Sequence, residues 1–270
     1  MRKPRRLPLE QLAPYEWVMP IRIPRWSRIE DSPLQLSQNP DSSVPTDHPA
    51  SAKQRWDEAG PTTAVARLPE SMVYPLIDWS QLFGNEQPVE IEVGSGKGQF
   101  LVSSAQLRPD VNFFGIEVVR KYQLYTATRC AIRQLRNVRT TCADARWVLH
   151  YFIPAASVQA VHVYFPDPWW KARHKKRRLF TPGFVQDVAR VLQPGGRLHI
   201  ATDVEEYFDS MCTMISDSGV FEQLQRGPDE STPPELQTNF EKKARARGSR
   251  IWRAIYVKTR QESDVSVRST

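Results

Sequence analysis

An acidic, aromatic turn runs straight into a cationic segment: Phe165-Pro166-Asp167-Pro168-Trp169-Trp170, then Lys171-Ala172-Arg173-His174-Lys175-Lys176-Arg177-Arg178. A carboxylate and two indoles are groups that hold and stack a planar base. Six basic side chains in eight residues are suited to the phosphates that carry such a base. A solvated charge run is the alternative. The functional reading gains weight from a second feature upstream, the glycine-rich turn Gly94-Ser95-Gly96-Lys97-Gly98.

Glycines tolerate positive φ and let a ligand come close to the backbone. The spacing is not a Walker A loop, because Lys97 is not followed by Ser or Thr at the required offset. It also lacks the third glycine of a pyrophosphate-binding turn, which disfavours a dinucleotide. A tight strand–helix turn without a ligand is the alternative. Glu117 follows Gly98 by 19 residues, where an acidic side chain accepts from ribose hydroxyls. Asp144 stands where it could accept from an adenine amine, or cap a helix. Glu92 interrupts an apolar run just before the glycines, and a carboxylate buried there needs donors from loop amides or a cationic ligand. Gly94, Gly96, Gly98, Glu92, Glu117 and Asp144 together suit a nucleoside with an amino-acid-like tail and no phosphate. S-adenosylmethionine fits that description.

Such residues need a frame. The pattern becomes regular from about residue 86. Strands are expected at 89–93, 112–117, 138–142, 158–165 and 197–201. Helices are expected at 99–107, 121–136, just after Asp144, at 182–192 and at 204–216. Alternation at this spacing implies a doubly wound, mostly parallel α/β sheet. Two further strands, 220–225 and 251–258, have no long crossover helix between them, so an antiparallel edge is expected. In such sheets ligands bind beyond the carboxyl ends of the strands, where the glycine turn lies.

The domains expected are an N-terminal arm over 1–75, a main domain over 76–260 and a tail over 261–270. The arm holds twelve of the 22 prolines. Its stretch from Asp31 to Pro49 is a loop by composition, while Trp17, Trp26 and Trp56 argue that parts pack on the main domain as irregular structure. The 270 residues carry a net charge of +7 and a pI near 9.4, which favours a polyanionic partner. No apolar run approaches a membrane span, and no secretory signal is recognised. Cys130, Cys142 and Cys212 form neither a disulfide framework nor a zinc pattern, and no metal site is expected. A reducing cytoplasm is the simplest setting.

The chain resembles the bacterial tRNA (guanine-N7-)-methyltransferases. The matching pieces are Ile91 to Phe100, Gly115-Ile116-Glu117, Ala143-Asp144-Ala145, the turn Phe165 to Trp169 with the basic run, Ala201-Thr202-Asp203, and Thr238-Asn239-Phe240-Glu241. The likeness covers roughly 72–258. It implies a Rossmann-like class I methyltransferase fold, S-adenosylmethionine as donor, and the variable-loop guanosine of tRNA as acceptor. Carried over by motif, Glu92, Glu117, Asp144 and Asp167 correspond to cofactor positions, with Asp167 also the family's catalytic residue. Lys171, Asp203 and Thr238, Asn239, Phe240 and Glu241 correspond to substrate positions. Trp170 departs from the Pro or His common in relatives, and the arm is longer than the family suggests.

Guanine N7 has a lone pair and no proton, so no general base is needed there. Asp167 is therefore expected to orient and to stabilise charge, and Asp203 could accept from the same guanine edge. Capping-box patterns at Asp203/Glu206 and Thr238/Glu241 are the structural alternatives. A second basic cluster (Lys242, Lys243, Arg245, Arg247, Arg250 and Arg253) is expected to grip phosphates, extended by the basic residues of 1–6 with Arg22, Arg25 and Arg28. The chain is expected to act as a monomer or homodimer, without a partner protein. The competing readings are an NAD-dependent oxidoreductase, an RNA-binding protein that no longer transfers methyl groups, and a methyltransferase with another RNA acceptor.

Overall fold

The computed structural model describes residues 7–20, 74–229 and 231–259. They fall into two units: Met1–Val18, Leu76–Pro168 and Arg178–Thr270 form the first, and Met19–Pro75 with Trp169–Arg177 the second. The loop at 31–49, Trp26, Trp56 and the arginines of the arm lie outside the described residues, as does the tail.

The first unit is built on one seven-stranded sheet. Its strands are β1 Val89–Val93, β2 Asn112–Ile116, β3 Val138–Thr141, β4 Val158–Tyr164, β5 Leu192–Thr202, β6 Phe221–Pro228 and β7 Trp252–Lys258. Their order is β3-β2-β1-β4-β5-β7-β6. The first five run parallel, and β7 pairs antiparallel with both β5 and β6. The expected architecture, including its antiparallel edge, is the observed one. Every residue of β1 and β2 is buried, as a central parallel strand covered on both faces requires.

Helices fill the crossovers: α1 Leu9–Leu12, α2 Trp79–Phe83, α3 Gln99–Leu107, α4 Arg120–Ile132, α5 Ala145–Trp147, α6 Pro182–Val191, α7 Glu205–Asp217 and α8 Asn239–Ala246. A π-turn, Val148–Phe152, extends α5. Helix α4 stops short of the expected Arg136. Gln134 takes φ +54°, and the Leu135 amide turns back to donate to the Cys130 carbonyl at 3.1 Å. Strand β5 begins five residues early because 193–196 form a bulge against β4: the pairing jumps from Val158 with Leu192 to Ala160 with Arg197.

Part of the arm packs with more order than expected. Leu12 of α1 is fully buried against Leu124 and Ala127 of α4. The Trp17 amide donates to Thr140 of β3 at 2.8 Å, and its indole meets Phe114 and Phe152 edge-on. Glu16 accepts from Arg120 at 2.7 Å and from Gln123 at 2.8 Å. The segment thus covers the edge that β3 would otherwise expose.

In the second unit, Ala172–Arg177 form a 3-10 turn. The Trp169 ring meets His174 edge-on at 5.7 Å and carries the Arg177 guanidinium at 5.2 Å. Trp170 is 67% exposed.

Candidate active site

Strand β1 pairs with β2 on one side and β4 on the other, so the sheet reverses direction of winding there. The glycine turn leaves β1 at this switch point and the Phe165–Asp167 turn leaves β4 beside it. That is where an open α/β sheet opens a crevice. Gly94, Gly96 and Gly98 all take positive φ, between +54° and +76°. The turn is held by the Gly94 and Ser95 amides donating to the Ile116 carbonyl. At Gly98 the need for glycine is also steric: a Cβ there would stand 2.3 Å from Thr126 Cγ2 of α4. Arg129 of α4 donates to the Lys97 carbonyl at 2.8 Å, so α4 fixes the turn from behind.

A cleft of about 640 Å³ opens over this turn. Its lining joins Glu92, Gly94 and Gly96 to Thr238, Asn239 and Phe240 at the start of α8. Two groups assigned separately from sequence thus meet in one cavity. Glu92 is 4% exposed, and its Oε2 has no partner among the described residues. Burial, and then the charge of Glu117, push its pKa well above the usual carboxylate range.

Glu117 lies just past β2. Its Oε2 accepts from the Gly96 amide at 2.7 Å and its Oε1 from the Val119 amide at 2.8 Å. Burial raises its pKa against those two donors, and Asp167 adds to the rise. A carboxylate has about four lone-pair sites, so both oxygens keep room to accept from a diol. Asp144 caps α5 through the Arg146 amide at 3.0 Å and pairs with the Arg146 guanidinium at 2.6 Å. The cap reading of Asp144 is therefore realised, and any ligand would share it with Arg146.

Asp167 is exposed, and partial burial still raises its pKa. The chain approaches it through strained backbone. Phe165 takes φ +53°, a conformation that costs a non-glycine residue about 1–3 kcal/mol and that concentrates at functional sites. The Phe165 amide is tied to the Ala201 carbonyl at 2.7 Å. Lys171 lies in the second unit, exposed and directly before the 3-10 turn described above.

On the substrate side the two cap patterns part ways. Thr238 caps α8, accepting from the Glu241 amide at 3.0 Å. The N-cap of α7 is Val204, with no side-chain cap, so Asp203 is an exposed carboxylate and the cap alternative for it is overturned. Phe240 is 64% exposed at the cleft. Glu241 turns the other way and is 1% exposed. It accepts from Arg245 at 2.9 Å and from Arg253 at 3.1 Å. Asp229 accepts from the same two arginines, at 3.1 and 2.8 Å, and from the Thr232 hydroxyl. Burial opposes ionisation of Asp229, but Thr232 and Arg253 outweigh it and hold its pKa at about 2. Arg245 and Arg253 are thereby neutralised within the protein. The second basic cluster is corrected accordingly: Lys242, Lys243, Arg247 and Arg250 are its exposed members, and Lys243 lines the cleft.

Sequence reasoning passed over Ser95, Phe100, Tyr122 and Tyr164, which also line the cleft. Tyr164 had a signal, since it ends β4 directly before the Phe165 turn. Tyr122 had none, because α4 has no clear apolar stripe to show which residues lean over the glycines.

Among the described residues no three potential metal ligands cluster, and no helix is long and apolar enough to cross a membrane. Residues 86–254 match the sequence model of a family described as putative methyltransferase. A tRNA (guanine-N(7)-)-methyltransferase of Rhodopirellula baltica is 38% identical over 237 residues, covering 84% of this chain and 83% of its own length. One from Cupriavidus pinatubonensis is 36% identical, covering 77% and 81%. Among solved structures, the 16S rRNA methyltransferase KamB superposes with a TM-score of 0.53 at 16% identity, covering 70% of this chain and 97% of its own. That likeness concerns the fold.

Proposed function

The chain belongs to the tRNA (guanine-N(7)-)-methyltransferase family, an S-adenosylmethionine-dependent class, and we propose that its target is N7 of the variable-loop guanosine of tRNA, giving 7-methylguanosine. The observation that carries this reading is the cleft shared by the glycine turn and α8, with the buried Glu92 carboxylate, whose Oε2 has no partner among the described residues, in its wall. The residues fit the donor. A buried carboxylate with one unpartnered oxygen suits a cationic tail, the positive-φ glycines leave the backbone approachable, and Glu117 retains acceptor capacity for ribose hydroxyls. Asp144 is assigned the adenine amine. Bound there, S-adenosylmethionine supplies a methyl group on a sulfonium.

The protein's own task is placement. Guanine N7 needs no base to deprotonate it, so in-line alignment in a dry site is the main device, and alignment of this kind supplies about 7–11 kcal/mol. Methylation leaves the purine cationic. Asp167, at the end of β4, is the carboxylate assigned to stabilise that charge. Asp167 and Asp203 are both acceptors, matched to guanine N1–H and N2–H and mismatched to adenine. Thr238, Asn239 and Phe240 form the wall against the acceptor nucleoside. Glu241 is assigned to hold that wall through Arg253. Lys171 and the basic run, with Lys242, Lys243, Arg247 and Arg250, take the tRNA phosphates and make binding salt-dependent. The protein is taken to act in the cytoplasm as a monomer or homodimer without a partner protein.

The test is methyl transfer from labelled S-adenosylmethionine to an unmodified tRNA transcript, beside the same transcript with its variable-loop guanosine changed to adenosine. Label in the first alone is the expected result. Equal label in both would move the target site, and label in neither would overturn the reading.

A further inference from the structure

Glu92 is not the last acceptor on the cleft wall. Tyr164 lines the same cleft at the end of β4, and its hydroxyl stands 2.9 Å from His162 Nδ1. His162 Nε2 stands 2.9 Å from Glu90 Oε2. Glu90 accepts from both arms of the Arg108 guanidinium, at 2.7 and 2.9 Å. Four side chains thus form one hydrogen-bonded chain from the protein surface to the cleft.

The chain has a direction. A carboxylate held by both arms of a guanidinium is ionised and can only accept. Glu90 therefore takes the hydrogen on His162 Nε2. In the neutral imidazole the lone pair is then on Nδ1, so the Tyr164 hydroxyl donates to it. The single hydrogen of the phenol is committed to the core, and its remaining lone pair is an acceptor. Burial pushes the Tyr164 pKa up and keeps that hydrogen in place. Phe100, edge-on to Tyr164 at 5.0 Å, and His199, stacked on His162 at 4.7 Å, fix the rings. Glu92, whose Oε2 has no partner among the described residues, lines the same cleft. A group with several hydrogens and a positive charge would satisfy both oxygens and favour the ionised form of Glu92.

We infer that Tyr164 is a positioning residue which, aligned by His162 and Glu90, presents its hydroxyl oxygen beside Glu92 to the ammonium of an amino-acid tail. This rests on the S-adenosylmethionine reading of the cleft and adds what selects the tail. The competing role is a purely structural hydrogen bond, which would be indifferent to the ligand's amine.

The experiment is titration calorimetry of the full chain with three probes: S-adenosylhomocysteine, its deaminated analogue, and 5′-methylthioadenosine, which has no amino-acid tail. Tyr164→Phe is expected to weaken S-adenosylhomocysteine about tenfold, as loss of one hydrogen bond to a charged group does. The two amine-free probes are expected to bind it as they bind the unaltered protein. His162→Phe frees the phenol hydrogen to bond Glu92 and is expected to weaken the same probe selectively. Equal loss for all three probes, or no loss in Tyr164→Phe, overturns the proposal and leaves the cofactor reading standing. If neither variant folds, the unaltered protein decides: deaminated and parent probes binding equally well would overturn it. Failure to bind S-adenosylhomocysteine at all would overturn both readings.

Discussion

Strand β1 carries two glutamates two residues apart, equally buried at 5% and 4%, with opposite fates. Glu90 is saturated by Arg108 and His162. Burial opposes its ionisation, yet His162 and then Arg108 bring its pKa down from 4.5 to about 2. Glu92, one turn of the pleat nearer the crevice, has an oxygen with no partner and a pKa pushed well above 4.5 by burial and by Glu117. The same contrast recurs at larger scale. Asp229 and Glu241 are closed off by Arg245 and Arg253, whereas Glu92, Glu117 and Asp167 have no arginine ion pair among the described residues. Saturated carboxylates hold the frame together; unsaturated ones mark where a ligand completes the structure.

The largest expected effect is at the saturated cluster. Arg253→Ala strips the shared partner from two carboxylates whose side chains are 1% and 2% exposed, and loss of one member of such a group costs about 3–5 kcal/mol. Chemical denaturation should show that loss. A change below about 1 kcal/mol would mean that Arg245 alone suffices. Arg253 also lies over the Tyr164 ring at 5.2 Å, so the frame behind α8 and the cleft wall are joined at this residue.

Glu90→Gln comes next. A pKa lowered from 4.5 to about 2 corresponds to about 3 kcal/mol, reduced to about 2 because Arg108 is 40% exposed and partly screened. The sign follows from the depression: this stability is present above pH 4.5 and disappears as pH falls toward about 2. On acidification from neutral pH the wild type should therefore lose more stability than the variant, and the two should converge as pH approaches about 2.

Glu92→Gln should behave in the opposite sense. With its pKa raised in the folded state, Glu92 weakens the fold increasingly as pH climbs above 4.5. The amide should leave the ligand-free protein as stable or more stable at neutral pH, while S-adenosylhomocysteine binds about a hundredfold more weakly through loss of its charged partner. Destabilisation together with unchanged affinity would place Glu92 with Glu90 and erase the contrast.

The sequence made the frame legible because its signals are local. Val-Glu-Ile-Glu-Val followed by glycines reads as a buried strand feeding a turn, and the alternation of strands and helices already implied the doubly wound sheet. Glu92 stood out by its place just before the glycines, but the fate of Glu90 was not legible, since both sit in the same alternation. What separates them is His162 from β4 and Arg108 at the end of α3, 72 and 18 residues away. The second basic cluster misled for the same reason. Arg245 and Arg253 read as free cations until Asp229 and Glu241 fold against them. Tyr164 escaped notice because its role depends on a ring two residues behind it on the same strand face.

The smallest test separates two acidic helix starts that look alike in sequence. Thr238 accepts from the Glu241 amide and caps α8, so Thr238→Ala should cost about 1 kcal/mol. Asp203 precedes α7 without capping it, so Asp203→Ala should leave stability within about 0.5 kcal/mol of the parent. Activity should invert that order. Asp203 is exposed near the end of β5, free to meet the substrate, and its loss should fall on turnover of tRNA with little change in S-adenosylhomocysteine affinity. Thr238 lines the cleft through a helix that Arg253 and Glu241 also hold, so its loss should loosen one turn and leave the wall standing. If Asp203→Ala instead lowers stability by as much as Thr238→Ala, the carboxylate belongs to the frame after all, and Asp167 is left as the acceptor for the guanine edge.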